Sequence, residues 1–423
     1  MIKQSTSYKL SIIALLAFAV FSFRFFLGTA SADLMATWLA GVFLQSGELG
    51  QVYPANTEMF DMYPPDQWRP YMAELGYTGP VFPFIYPPLW AKLGTLIPGF
   101  LGFRVLTVVA TLVNPLLIGG MILLARRASG SKVDPLLYVS LALAAMLITH
   151  VGSIALMQNQ PQILVSFLIV LAIERSRNGA PLTAGAVLAL AAAIKLYPVL
   201  FALFWVATGQ RRAFYSFAFV GGTLGLLSVA LTGWQLHADF LSQVSVISRT
   251  ALVSGISFGI DPAIAQLFFA DQFSYIPALE TLTGSIESKG WYGLRKPEIW
   301  VLLSRLALLA TVAGLFLLFR RASEKVRYGA IWPLALTLVS LLGPLTWAYH
   351  YLPAFAFLPA LLGRLGHRGG AVVVFFILAP IFSPLVSVYR GVEFVPYLYQ
   401  LVGTFSMALM AGAFALSAWR RTG

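Results

Sequence analysis

The stretch Pro181–Thr208, PLTAGAVLALAAAIKLYPVLFALFWVAT, lies between the basic residues Arg177 and Arg211/Arg212 and decides the topology of the chain. Read as one membrane span, it would place those flanking basic residues on opposite sides of a bilayer and invert every later loop. Read as two short helices meeting near Ile194-Lys195-Leu196-Tyr197-Pro198, it returns the chain to the side it left. Pro198 donates no backbone hydrogen bond and biases Tyr197 away from helix, so the break belongs there. Each arm of about 13 residues, rising about 1.5 Å per residue, reaches only part-way across or just to the far face. Broken backbone at membrane depth survives only against protein or a watery cavity. Lys195, an ionisable group inside an otherwise apolar stretch, is thereby marked as a functional candidate.

Working outward, the rest of the chain has the same character. Of its 423 residues 59% are hydrophobic and 10% charged, against about 45–50% and 25% in soluble domains, which excludes a water-soluble enzyme. Apolar segments of membrane length or near it are expected at 8–27, 103–125, 135–149, 160–174, 213–232, 298–319, 328–345, 349–363, 370–388 and 396–419. With the hairpin counted as two, the expectation is an all-α polytopic membrane protein of about 12 segments forming one domain over residues 1–423. The net charge of +12 does not point to nucleic acid, because of where the charge sits. Lys3/Lys9, Arg126/Arg127/Lys132, Arg175/Arg177, Arg211/Arg212, Arg320/Arg321/Lys325/Arg327, Arg364/Arg368 and Arg420/Arg421 hold seventeen of the 28 basic residues in short segments. Only Asp134, Glu174 and Glu324 among the acids accompany them. The positive-inside rule places both termini and these segments in the cytoplasm, and two long loops, about 28–102 and 233–297, outside. The absence of cysteine removes thiolate metal sites and cysteine nucleophiles.

The long loops and span ends carry the polar chemistry. Asp33 follows the first span closely, where a carboxylate can serve as general base toward a hydroxyl or cap the helix expected over Leu34–Gln45. That helix reads as amphipathic and lying on the membrane surface. Phe84-Ile85-Tyr86-Pro87-Pro88-Leu89-Trp90 is a stiff turn re-entering the membrane, with Tyr86 able to line a site. Met157-Gln158-Asn159-Gln160-Pro161-Gln162 packs four carboxamides between two apolar segments, which fits either a plain connecting turn or hydrogen bonding to sugar or phosphate. Lys195 at the hairpin tip suits a lipid-linked phosphate, or a structural ion pair. In Gly343-Pro344-Leu345-Thr346-Trp347-Ala348-Tyr349-His350-Tyr351 a histidine among interface aromatics could donate to a phosphate or steady a carboxylate. Arg24 and Arg305 read as snorkelling or structurally paired cations.

Taken in order, these segments resemble the polyprenol-phosphate-sugar-dependent glycosyltransferases of family 87, membrane enzymes of the GT-C fold. The residues that carry the resemblance are Ala32-Asp33-Leu34 with Trp38-Leu39-Ala40-Gly41, Phe84–Leu89, Gln158-Asn159-Gln160 followed by Ala184-Gly185 and Ala191–Pro198, and Gly343–His350. The pattern departs from the family at Met157 (glycine), Gln160 (asparagine), and Gly343, Thr346 and Tyr349 (serine, serine, histidine). The family's N-Q-S-L stretch has no counterpart around Ser254–Gln266.

The resemblance implies a GT-C-like bundle that transfers a sugar, mannose or similar, from a polyprenyl-phosphate carrier to an extracytoplasmic glycolipid or glycan acceptor. It implies inversion at the anomeric carbon, with Asp33 as general base and His350 as its catalytic companion. Lys195, Tyr86, Gln158, Gln160, Trp347 and Tyr349 would bind the donor's phosphate or sugar. No paired carboxylates at metal-ligand spacing are present, so neither metal nor other cofactor is expected. The implied setting is the bacterial cytoplasmic membrane with the site facing outward. A multi-spanning transporter or flippase is the competing class, since broken helices and a buried lysine suit it equally.

Overall fold

The computed structural model describes residues 2–55, 57–77, 79–277, 290–390 and 397–419; Arg420, Arg421 and the side chain of Lys3 fall outside them. The chain is mostly helical. Among the described residues, five helices are long and apolar enough to cross a membrane: Thr6–Phe26, Gly99–Ser129, Arg211–Ser248, Glu298–Arg321 and Leu398–Trp419. Shorter apolar helices include Pro135–Ile148, Pro181–Ile194 and His367–Ile381. Local sequence sets several boundaries. Gly130, left-handed at φ 60, ends the 31-residue helix Gly99–Ser129, as glycine does after many helices. Asp134 then starts the next helix, its Oδ1 accepting from the amides of Leu136 (3.0 Å) and Leu137 (3.2 Å), with Pro135 at the first helical position where no amide is needed.

The hairpin forms as the sequence predicts. Helix Pro181–Ile194 stops at Lys195, whose backbone is extended (φ −137, ψ 135), and Pro198 opens helix Val199–Ala207. The first arm packs along Arg211–Ser248. Gly185 makes this possible, since a Cβ there would collide with Ala213 O and the Phe217 amide. The long helix bends at Gly233 (φ 80, ψ 160) and runs on to Ser248, fifteen residues into the predicted loop.

Contacts between distant segments gather the basic segments at one end of the bundle. Ser7 Oγ donates to Asp134 (2.7 Å), Arg127 pairs with Glu174 (3.0 Å), Arg177 reaches Glu324 (3.8 Å), Gln210 and Ser176 meet the Tyr328 hydroxyl (2.9 and 3.0 Å), and Arg364 donates to Lys325 O (2.6 Å).

Three expectations are corrected. The fold is not purely α: Thr250–Val253, Ser274–Ile276 and Trp291–Arg295 form an antiparallel sheet with the last strand central. Alternation in such short segments is masked by the apolar background of the whole chain. The helix after the first span, Ala32–Gln45, does not lie on a surface. Its residues from Leu34 to Gly41 are all buried, and it meets helix Pro88–Gly94 backbone to backbone where Gly41 and Gly94 leave no room for a Cβ. Nor does Asp33 cap it. Ser31 holds the cap position in a left-handed conformation (φ 53), and Asp33 stands in the first turn, its side chain engaged elsewhere.

Candidate active site

At the end of the bundle away from the basic segments, six of the eight residues singled out from sequence are joined by direct contacts. Gln160 Nε2 donates to Asp33 Oδ2 at 2.7 Å, and Tyr86 OH donates to Gln160 Oε1 at 2.7 Å. The Lys195 ammonium lies 5.3 Å from the centre of the Tyr86 ring and 5.2 Å from that of Tyr349, within cation–π range. Its Nζ is 3.3 Å from His350 Nε2. The chain from Asp33 to Lys195 to His350 therefore closes through Gln160 and Tyr86, across segments up to about 317 residues apart in sequence.

Each side chain is placed by its own local structure. Tyr86 precedes Pro87, and its carbonyl accepts from the Tyr53 hydroxyl (2.8 Å). Lys195 is exposed to the site because the hairpin breaks there. His350 sits in the short 3-10 turn Ala348–Tyr351, which is tied to the second long loop: the Ala348 amide donates to Ile256 O (2.8 Å) and the Tyr351 hydroxyl to Phe258 O (2.6 Å). The Trp347 amide donates to His350 Nδ1 (2.9 Å). An amide N–H can only donate, so the proton of the neutral imidazole is on Nε2, facing Lys195. With Lys195 protonated, two donors therefore point toward one another.

Asp33 keeps partial solvent access, but the protein around it pushes its carboxyl up to about 7; the Lys195 charge and the Gln160 hydrogen bond pull the other way. Burial, reinforced by the Asp33 charge, holds the Tyr86 phenol protonated. A cleft of about 190 Å³ is lined by Lys195, Tyr197, Trp347 and His350. Neither Asp33 nor Tyr86 is in its wall; Tyr86 lies behind Lys195, its ring centre 5.3 Å from the ammonium. An adjoining apolar groove of about 500 Å³ runs between the hairpin and helix Arg211–Ser248 and shares Pro87, Leu196 and Phe240 with the cleft.

Two sequence-derived residues stand apart from the contact chain. Gln158 is buried and its Oε1 has no hydrogen bond; Trp347 contributes backbone and cleft wall. Gln160, expected at the ligand, instead has both amide atoms engaged by protein and is 1% exposed. Sequence reasoning also missed a closed ionic cluster in the second long loop: Asp261 accepts from Lys296 (2.6 Å), Trp300 Nε1 (2.9 Å) and Ser304 (2.8 Å). The only available signal was a charge beside a proline in Lys296-Pro297. Thr111 and Asn114, three apart on one face of an apolar helix, were a readable sign of the polar contacts they make with Asn159. Arg305 donates to Ser248 Oγ at 3.3 Å, and Arg24 is exposed. Among the described residues no three His, Asp or Glu side chains gather as a metal-ligand group.

These features define a helical membrane protein in which a carboxylate, a lysine and a histidine gather at one end of the bundle. Residues 84–281 match the model of Glycosyltransferase family 87, which supports a membrane glycosyltransferase and agrees with the resemblance read from the motifs. That span includes Tyr86, Gln158, Gln160 and Lys195; Asp33 and Gly343–His350 lie outside it. Among solved structures the chain is similar to ArnT from Cupriavidus metallidurans bound to undecaprenyl phosphate, at 14% identity and a TM-score of 0.35, over 97% of this chain and 78% of that one. No curated protein gives a significant match.

Proposed function

We propose that the protein transfers a sugar, mannose or a similar one, from a polyprenyl-phosphate carrier to a glycolipid or glycan acceptor on the outer side of the bacterial cytoplasmic membrane. The observation that carries this is the meeting of Lys195, His350 and the Asp33–Gln160–Tyr86 chain at the end opposite the basic segments. With those segments cytoplasmic, about twelve membrane segments return both termini inside and turn the site outward.

The chemistry follows from the donors and the base. Lys195 and the Nε2–H of His350 face one another and need a shared acceptor; a phosphate oxygen supplies it and relieves the apposition. As the acceptor hydroxyl oxygen attacks the anomeric carbon, its proton passes to Asp33. The bond from that carbon to the phosphate oxygen breaks, and the electron pair leaves with polyprenyl phosphate, whose growing charge Lys195 and His350 receive. Attack opposite the phosphate inverts the anomeric centre. Tyr86 and Tyr349 flank the ammonium, and Trp347 walls the cleft. The apolar groove continuous with the cleft seats the isoprenoid units nearest the phosphate. Because Lys195 supplies positive charge and His350 a hydrogen-bond donor, transfer is expected without a divalent metal, and a chelator should leave the rate unchanged.

The test is transfer of radiolabelled sugar from a polyprenyl-phosphate donor by the purified protein in detergent. A covalent product with inverted configuration supports the reading. Movement of lipid without covalent product would favour the transporter class.

A further inference from the structure

The carboxamide turn Met157–Gln160 does not face open space; it is stitched onto the residues leading into Asp33. Thr29 Oγ1 donates to Met157 O (2.7 Å), Asn159 Nδ2 donates to Ser31 Oγ (2.8 Å), and Gln160 Nε2 donates to Asp33 Oδ2 (2.7 Å). Alternate residues 29, 31 and 33 are thus held in sequence by 157, 159 and 160. Both strands of this contact have a left-handed residue, Ser31 (φ 53) and Asn159 (φ 45), a conformation that non-glycine residues keep only where the surroundings enforce it. Asn159 is fixed from behind, since its Nδ2 also donates to Thr111 Oγ1 (2.9 Å) and its Oδ1 accepts from Asn114 Nδ2 (2.8 Å). These three side-chain partners belong to the start of helix Ala32–Gln45 or to helix Gly99–Ser129.

The orientation of Gln160 follows from donor and acceptor counting. The Gln162 amide, which can only donate, lies 3.2 Å from Gln160 Oε1, so the oxygen faces it, and the Tyr86 hydroxyl shares the same oxygen. The NH₂ is left for Asp33. Gln160, Asn159 and Ser31 are each at most 2% exposed, so none of them presents a polar atom to a ligand.

We propose that the Met157–Gln160 turn is a positioning clamp: Gln160, oriented by Tyr86 and the Gln162 amide, occupies Oδ2 of Asp33 and turns Oδ1 toward the acceptor hydroxyl. Gln160 and Asn159 are positioning residues that act through Asp33. The inference rests on the reading of Asp33 as the base, and it replaces the expectation that Gln160 touches sugar or phosphate.

Gln160→Met keeps the size of the side chain and removes the donor. A hydrogen bond to a charged group is lost, so kcat should fall about 10–100-fold, with the KM for donor within about twofold. The acid limb of kcat should move to higher pH, because the ionised carboxylate loses its stabilising donor. Tyr86→Phe frees Gln160 to rotate and should shift the same quantities less; it serves if Gln160→Met folds poorly by melting in detergent. A raised donor KM with kcat unchanged would make Gln160 a substrate contact and overturn the clamp, as would a lowered kcat with an unmoved pH profile. Asp33→Asn separates the two readings. Inactive Asp33→Asn beside unaffected Gln160→Met removes the clamp alone, whereas active Asp33→Asn removes the base assignment.

Discussion

The two ends of the bundle treat buried charge in opposite ways. At the basic end Glu174 is fully buried, yet Arg127, Arg175 and Asn178 (2.7 Å) all converge on its carboxylate. At the other end Lys195 faces a histidine that is itself a donor, and the carboxylate that balances it, Asp33, acts from beyond hydrogen-bond contact. Location alone is not the reason, because Asp261 and Lys296, in the second long loop, form a closed pair whose carboxylate accepts from three side chains. A buried charge with its partners present is a structural joint; one whose partners are missing implies a ligand that brings them.

That contrast can be broken from either side. The largest effect is expected at the open end: Asp33→Asn should lower turnover by about 10²–10⁴-fold while equilibrium binding of the donor persists, and near-normal turnover would remove the base. Lys195→Ala should weaken donor binding about 10–100-fold, the worth of a charge-assisted contact to phosphate; titration of the lipid phosphate into the variant reads it directly. Acidity should act through Asp33 as well. Since the base works ionised and its carboxyl is pushed up to about 7, activity should drop roughly tenfold per pH unit as the pH falls below that value, which a pH–rate profile would show. A flat profile down to about pH 5 would contradict the assignment.

Smaller effects sharpen the comparison. Gly222 lines the apolar groove, and a Cβ added there would meet nothing within 4 Å, so Gly222→Leu should fold normally. It should raise the KM for a long-chain donor several-fold through lost apolar burial and leave a short-chain donor unchanged. At the closed end Glu174→Gln should cost about 1–2 kcal/mol, because Arg127 and Arg175 remain partly solvated and the pairing is discounted accordingly. A lowered melting temperature with activity per folded molecule intact would match; lost activity would show that the two ends are not separable.

Much of this was legible in the sequence. The Lys-x-x-Pro break, the basic segments and the aspartate after the first span each have a local physical signature, and their alternation along the chain located the site at one end. What stayed hidden depends on contacts between distant segments. The role of Gln160 is set by Tyr86 and Asp33, 74 and 127 residues away. Likewise, the left-handed turn at Ser31 that took the cap position from Asp33 is stabilised by Asn159. The small sheet pairs a strand at 250–253 with one at 291–295, a separation that hydropathy patterns do not report.

The central claim is tested most directly by a density map of the protein with a polyprenyl-phosphate-linked sugar bound. The account predicts the phosphate between Lys195 Nζ and His350 Nε2, the isoprenoid chain in the groove beside helix Arg211–Ser248, and the anomeric carbon turned toward Asp33. A donor whose phosphate lies away from Lys195 and His350, or whose sugar has no route to Asp33, would contradict it.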